Sequence, residues 1–309
     1  MQKVVMVTGG AGFIGSHIVD QLVNQNFCVV VVDDLSSGKK SNVNEKAIFF
    51  QRDICSSEII KIIETYRPEV ICHHAAQINV RQSVKDPITD ININIKGAVN
   101  LIEAGLKNGL KKIVFASTGG AIYGEQDYFP ANESHPLRPL SPYGISKLAF
   151  EQYLYYYHKN FGLNYTILRY SNVYGPRQNA HGEAGVVAIF TQKLLNKIQP
   201  IINGDGKQTR DFVYVEDVAM ANIIAIEKNI DGIFNIGTGK ETDVNTLYDS
   251  IATHLGVYSD KRYVDSQKGE QHRSVIDITL AKEILRWEPK FSLKNGLTKT
   301  IDWFLNHNK

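Results

Sequence analysis

The chain of 309 residues carries 34 basic and 32 acidic residues for a formal charge of +2, with 43% hydrophobic and 21% charged residues. These proportions belong to an ordinary globule, long enough for one elaborated domain or a main domain with a smaller partner, and they exclude disordered and fibrous classes. With charge nearly balanced and the doublets Lys39-Lys40 and Lys111-Lys112 isolated from each other, nothing in the sequence points to nucleic-acid binding.

Cys28, Cys55 and Cys72 are odd in number and widely spaced, without a C-x-x-C pair, which points to reduced thiols and a cytoplasmic setting. Met1 leads directly into the strand-like Val4-Val5-Met6-Val7, without the basic region and apolar core of a signal peptide. No apolar run approaches the ~18 residues needed to span a bilayer.

In chain order, residues 4–7, 29–32, 47–50, 70–72, 113–116 and 165–168 are short β-branched or apolar runs that predict strands. Residues 16–25, 57–66, 91–108 and 143–161 carry helical periodicity between them. This alternation predicts an α/β fold, a Rossmann-type doubly wound parallel sheet with right-handed crossovers and helices on both faces. Near-continuous apolar strands fit burial on both sides. After residue 170 the alternation gives way to loops such as Gly175-Pro176-Arg177 and Asn203-Gly204-Asp205-Gly206, where a ligand-covering part is expected to begin. Residues 234–237 look like one more strand, and a helical segment follows from about 245. The predicted division is a dinucleotide-binding part over 1–170, returning to the sheet at about 213–240, and a smaller, mainly substrate-binding part over 171–309.

Thr8-Gly9-Gly10-Ala11-Gly12-Phe13-Ile14-Gly15 follows the first strand and opens a helix. Glycines there permit a tight turn and close approach of a pyrophosphate, whose charge the helix N-terminus favours. The plain alternative is a Gly-rich turn in an unrelated strand–helix unit. Asp33, ending the second strand at the expected distance, decides between them: a carboxylate there binds ribose hydroxyls and repels a 2′-phosphate, so the cofactor is read as NAD rather than NADP. Asp53-Ile54 follows the third strand at the same sheet edge, where Asp53 either contacts the adenine or is simply solvated. Ala75-Ala76-Gln77 offers small residues where a cofactor needs room, and Asn94 either shapes that pocket or ties loops together. Cys72-His73-His74 suggests a metal, but successive strand residues point to opposite faces, and core histidines are the better reading. The Tyr153–Tyr157 run reads as packing or a subunit contact rather than a stacking platform for bases.

Ser141-Pro142-Tyr143-Gly144-Ile145-Ser146-Lys147 combines an N-cap, a first-turn proline and, four residues apart on one helix face, a phenol and an amine. A free phenol titrates near ~10, and an adjacent ammonium favours the phenolate, making Tyr143 a candidate acid/base. Taken alone, the pair is equally a coincidence of helical spacing.

Together with Ala116-Ser117-Thr118-Gly119-Gly120-Ala121-Ile122-Tyr123-Gly124, Tyr174-Gly175-Pro176-Arg177, Gly204-Asp205-Gly206 and Arg210-Asp211-Phe212, these motifs span the chain. The set resembles the extended short-chain dehydrogenase/reductases and, among them, the UDP-glucose 4-epimerases. The resemblance implies that Tyr143 takes the proton of the sugar 4-hydroxyl while C4 passes hydride to NAD. Thr118, with Ser117 its competitor, would bond the reacting oxygen, and Lys147 would lower the phenol pKa and hold the nicotinamide ribose. The candidate cofactor set is Gly9, Gly12, Phe13, Ile14, Asp33, Asp34, Ser37, Gly38, Asp53, Ile54, Ala75, Ala76, Gln77, Asn94, Tyr143, Lys147 and Tyr170. By family position the UDP-sugar would meet Thr118, Tyr143, Asn172, Val186, Val187, Asn203, Arg210, Gln267 and Glu270. Arg210 would hold a phosphate, the plain alternative being a salt bridge to Asp211 or Asp205.

Two departures from the family pattern concern the substrate. Gln267-Lys268-Gly269-Glu270 stands where relatives carry Arg-x-Gly-Glu or Arg-x-Gly-Asp, leaving Lys268 or Arg273 to replace a diphosphate arginine. Ser274 falls at the position that gates sugar size, and its small side chain suggests acceptance of UDP-GlcNAc and UDP-GalNAc beside UDP-glucose and UDP-galactose. Gly119-Gly120 after Thr118 argues against dehydratases and decarboxylases, which carry an acid there. A UDP-glucuronate 4-epimerase or another nucleotide-sugar oxidoreductase of the family is the alternative. A non-catalytic NAD sensor would be free to lose Tyr143 or Lys147, and both are present. A homodimer joined by the helices holding Asn100 and Tyr153 is what the resemblance implies for assembly.

Overall fold

The computed structural model describes residues 2–180, 185–257, 260–266 and 271–307. The apolar runs of the first half form six strands: β1 Val4–Thr8, β2 Cys28–Asp33, β3 Ile48–Gln51, β4 Val70–His73, β5 Lys112–Thr118 and β6 Asn164–Tyr170. Helices α1 Phe13–Asn24, α2 Glu58–Tyr66, α3 Val80–Lys85, α4 Pro87–Ile91, α5 Ala98–Lys107 and α6 Pro142–Phe161 lie between them. The single helix expected over 91–108 is subdivided. Asp86 caps α4 by accepting from the Thr89 amide, Pro87 occupies the first turn, and Asn92–Gly97 widens into a π turn before α5.

A seventh strand, β10 Gly232–Ile236, joins after the chain has left and returned, and the all-parallel order is β10-β6-β5-β4-β1-β2-β3. The chain winds outward in one direction through β2 and β3 and in the other through β4, β5 and β6. A crevice therefore opens between the carboxyl ends of β1 and β4, the switch point where such sheets bind ligands.

Strand alternation decides which helices each residue meets. Val5, Val7, Val29 and Val31 pack with Ile18 and Leu22 of α1 and with Val218 and Ile223 of helix α8, Val215–Glu227. Met6, Val30 and Val32 face Ile59 and Ile63 of α2, Leu101 of α5 and Phe150 of α6.

The remaining elements form a smaller lobe over the sheet's carboxyl edge. It contains β7 Asn172–Tyr174, helix α7 Val186–Leu195, β8 Ile201–Asn203, β9 Thr209–Tyr214, β11 Glu241–Asp243 and α9 Val244–Leu255. The strands β12 Arg262–Val264 and β13 Arg273–Ser274 and the helix α10 Leu293–His307 complete it. β9 organises this lobe, pairing antiparallel with β11 and parallel with β13 and β7. The return to the main sheet expected at 213–240 is thus made by α8 and β10 alone, because β9 belongs to the small sheet. Tyr174, Tyr214, Phe190, Leu247 and Ile301 build this lobe's own core. Among the described residues no helix is long and apolar enough to cross a membrane.

Candidate active site

The crevice at the switch point is a cavity of about 450 Å³ running from Asp33 and Asp53 past the glycine loop to Lys147 and Tyr143. Gly9 sits at φ +71°, and a Cβ there would lie 2.6 Å from the Ala75 amide nitrogen; on Gly15 it would lie 2.2 Å from the Gly9 carbonyl. Gly12 caps α1 without any side chain and no acidic residue follows in the first turn, leaving the helix N-terminus bare toward the cavity.

Asp33 is fixed at the far end. Its Oδ2 accepts from the Ala11 amide and its Oδ1 from the Leu35 amide, both at 2.9 Å. Burial pushes its carboxyl above the usual range, and those amides oppose the shift. A carboxylate can accept about four hydrogen bonds, so after these amides it still has capacity for a ribose hydroxyl.

At the near end α6 presents its two reactive side chains. Ser141 accepts from the Gly144 amide at 3.2 Å, and Pro142 begins the helix. Lys147 is buried. Its Nζ donates to the Ala116 carbonyl at 2.8 Å, lies 4.7 Å from the Phe115 ring centroid and 5.8 Å from that of Tyr143. Burial lowers the Lys147 pKa to about 8, against the opposing pull of Asp90 and Glu151. Asp90 is itself fully buried, held by Ser146 at 2.5 Å and by Gln77 and Asn94 at 3.0 Å. His73 bonds Thr8 and His74 bonds the Tyr170 hydroxyl, with burial driving both imidazoles toward the neutral form.

A second cavity, of about 440 Å³, lies between the two lobes and is lined by Val80, Thr118, Gly120, Leu140, Tyr143, Asn172, Arg210 and Gln271, among others. Among the described residues Tyr143 is the one that borders both cavities.

A family model described as the NAD dependent epimerase/dehydratase family matches residues 5–237. The chain belongs to that family. It is 50% identical over 305 residues to a putative UDP-glucose 4-epimerase of Methanocaldococcus jannaschii, with 99% of each chain covered. The crystal structure of a UDP-glucose 4-epimerase with UDP-glucose from Thermotoga maritima superposes with a TM-score of 0.97 at 47% identity, covering 99% of this chain and 100% of that one. A UDP-glucose 4-epimerase of Thermus thermophilus in complex with NAD gives 0.93 at 42% identity, covering 98% and 99%.

The family's cofactor fits this groove on its own geometry: a bare helix N-terminus and glycines without space for side chains suit a pyrophosphate, and Asp33 suits an unphosphorylated ribose. Of the residues expected along it, Gly9, Gly12, Phe13, Ile14, Asp33, Asp34, Ser37, Asp53, Ile54, Ala75, Ala76, Gln77, Tyr143, Lys147 and Tyr170 line the cavity. Gly38 instead packs under the glycine loop, where a Cβ would come 2.9 Å from Ala11. Asn94 stands behind the wall, bonding the Gln77 amide and carbonyl. Ser36 and Arg52 also line it and carried no motif signal, and so does His74, read from sequence as a core histidine.

The substrate-side expectations divide. Thr118, Tyr143, Asn172 and Arg210 converge on the second cavity. Asp211 accepts from the Thr238 and Gly239 amides, Asp205 faces Lys207, and Arg210 donates to the Thr209 carbonyl at 2.7 Å. Ser117 borders the cofactor groove, but its hydroxyl donates to Glu151 at 2.6 Å, which sets it apart from Thr118. Val187 is buried in the small lobe's core with Val186 packed against it, and Asn203 pairs with Val264 away from the second cavity. Arg273 holds Glu241 bidentately at 2.9 and 2.6 Å and stacks on Phe129, which commits it to the small sheet rather than to a diphosphate. Ser274 is buried on β13 opposite Arg210 and is not among the lining residues; Gln271 is, bonding the Gly124 carbonyl. Gln267, Lys268 and Glu270 lie outside the described residues.

Proposed function

We propose that this chain is a UDP-hexose 4-epimerase, inverting C4 of UDP-glucose and UDP-galactose through a 4-keto sugar. The carrying observation is that Tyr143 borders both the dinucleotide groove and the second cavity, with the Lys147 ammonium beside its ring. A sugar hydroxyl in the second cavity reaches the Tyr143 oxygen, which accepts its proton as the phenolate and, as the phenol so formed, later returns it. Lys147 keeps positive charge against that phenol, and Thr118 donates a hydrogen bond to the reacting oxygen. Asn172 and Arg210 anchor the diphosphate end. NAD, when bound, supplies a two-electron acceptor that is restored within each turnover. Inversion needs a keto sugar able to turn over, and the wall at Gly120 gives room: a Cβ there would meet nothing closer than 3.9 Å.

Purified protein incubated with UDP-glucose and no added oxidant is expected to form UDP-galactose. The same assay on UDP-GlcNAc, UDP-GalNAc and UDP-glucuronate sets the substrate range. Turnover of UDP-glucuronate alone would replace this reading with the uronate epimerase. A homodimer through α5 and α6 belongs to the same proposal, supported by the exposed Ile145, Tyr153 and Tyr156 on α6.

A further inference from the structure

The most completely buried ion pair described in the molecule lies one turn beyond the catalytic lysine. Arg169 and Glu151 have side chains 1% exposed and meet bidentately, Nη2 to Oε2 at 2.6 Å and Nε to Oε1 at 3.0 Å. Arg169 also donates to the Tyr123 hydroxyl at 3.1 Å, and Tyr123 in turn donates to Asn235 at 2.7 Å. Oε1 of Glu151 accepts a further bond from Ser117. Ser117 pairs with Arg169 in the β5–β6 register, immediately before Thr118 and Tyr170. Removing two charges from water needs near-complete compensation, and this pair has it from four elements: β5, α6, β6 and the segment after β5.

We infer that Glu151 is a positioning residue for the epimerase reaction: held by Arg169 and bonded to Ser117, it locks α6 against the end of β5 and so fixes Tyr143 and Lys147 relative to Thr118. Lys147 and Glu151 are four residues apart on one helix face, and they grip consecutive β5 residues, the Ala116 carbonyl and the Ser117 hydroxyl. A helix held at two adjacent points of a strand can neither slide nor roll on it. The distance between the phenol of Tyr143 and the hydroxyl of Thr118, which must bind one sugar oxygen together, is set by that double grip. Glu151 also supplies negative charge to Lys147, as does Asp90 from α4; the other titratable groups around the ammonium are Tyr143 on α6, His73 at the end of β4 and His74 just after it, two imidazoles that burial and the ammonium together hold neutral.

The inference rests on the proposed function, and two variants test it. Ser117→Ala removes one bond and leaves the ion pair intact: kcat is expected to fall about tenfold with KM unchanged, the cost of a small misplacement of reacting groups. The alkaline limb of its kcat–pH profile should not move. Glu151→Gln removes the charge as well, and that limb should shift downward by about half a pH unit or more. In both variants the amides of residues 143–150 should exchange with deuterium faster than in the wild type, with NAD content retained. A Ser117→Ala enzyme with wild-type kcat overturns the inference whatever the exchange shows, and so does a folded Glu151→Gln enzyme whose profile is unmoved. If Glu151→Gln does not fold, Ser117→Ala alone decides. If the wild type turns over no UDP-sugar, the proposed function fails, and unchanged exchange in Ser117→Ala then overturns the positioning claim by itself.

Discussion

Tyr143 and Lys147 are set in contrasting surroundings although one helical turn separates them. The phenol borders both cavities, whereas the lysine is buried at the edge of the dinucleotide groove alone, its ammonium held by the Ala116 carbonyl and the Phe115 ring. Replacing Tyr143 with Phe is expected to cost about 10²–10⁴ in kcat, the usual worth of a positioned acid/base, and intact activity in that variant would refute the assignment. The lowered Lys147 pKa has opposite consequences for activity and for stability. Folded, the group is charged below about 8; unfolded, it stays charged up to the usual 10.5. Between those values the unfolded chain binds more protons, so the penalty of burying this ammonium is fully present below about pH 8 and is relieved as pH rises toward 10.5. Catalysis loses its cation over the same interval. Lys147→Met should therefore abolish turnover without lowering the melting temperature at pH 7, as followed by calorimetry beside the epimerisation assay.

At the scale of elements, α6 carries the site and its start is where it is most exposed to change. Ser141→Ala should remove about 1 kcal/mol of stability through the lost cap, read from denaturant titration, and should raise KM because Ser141 also lines the second cavity, proposed above to take the sugar. Much of the main sheet was legible in sequence because its strands are buried on both sides and therefore apolar throughout; each of the first six ends within two residues of the expected place. The strands of the small lobe were not. β7, β8, β11, β12 and β13 have two or three residues each, too few to show alternation, and exist by pairing with distant chain. Helix α8 escaped notice because Val215, Val218, Ala219, Ala221, Ile223 and Ala225 bury nearly its whole circumference, which erases periodicity. In the site, the glycine loop, Asp33, Thr118, Tyr143 and Lys147 were readable from motifs. The separation of Ser117 from Thr118 was available in principle, since Ile113, Phe115 and Ser117 share the strand face that packs on α6. Gln271 and Arg52 left no such trace, since nothing local to either marks the cavity it enters.

Across the whole molecule, two lobes are joined over a crevice, and their junction is polar as well as apolar. Asp217 at the start of α8 accepts from the amides of Lys290 and Phe291, fastening the approach to α10 to the main domain. An exposed aromatic face on α6 should be covered in solution: light scattering is expected to give twice the chain mass, and Tyr153→Arg with Tyr156→Arg should give the monomer with its fold intact. A monomeric wild type would refute that assembly.

Because Tyr143 alone among the described residues borders both chambers, their remaining described walls belong to one chamber or the other. Val80, Leu140 and Gln271 can be exchanged for residues that suit a bulkier or more acidic sugar without disturbing Gly9, Gly15 or Asp33, and the redox half need not be rebuilt for each new ligand. A change at Tyr143, the plank common to both rooms, reaches both at once.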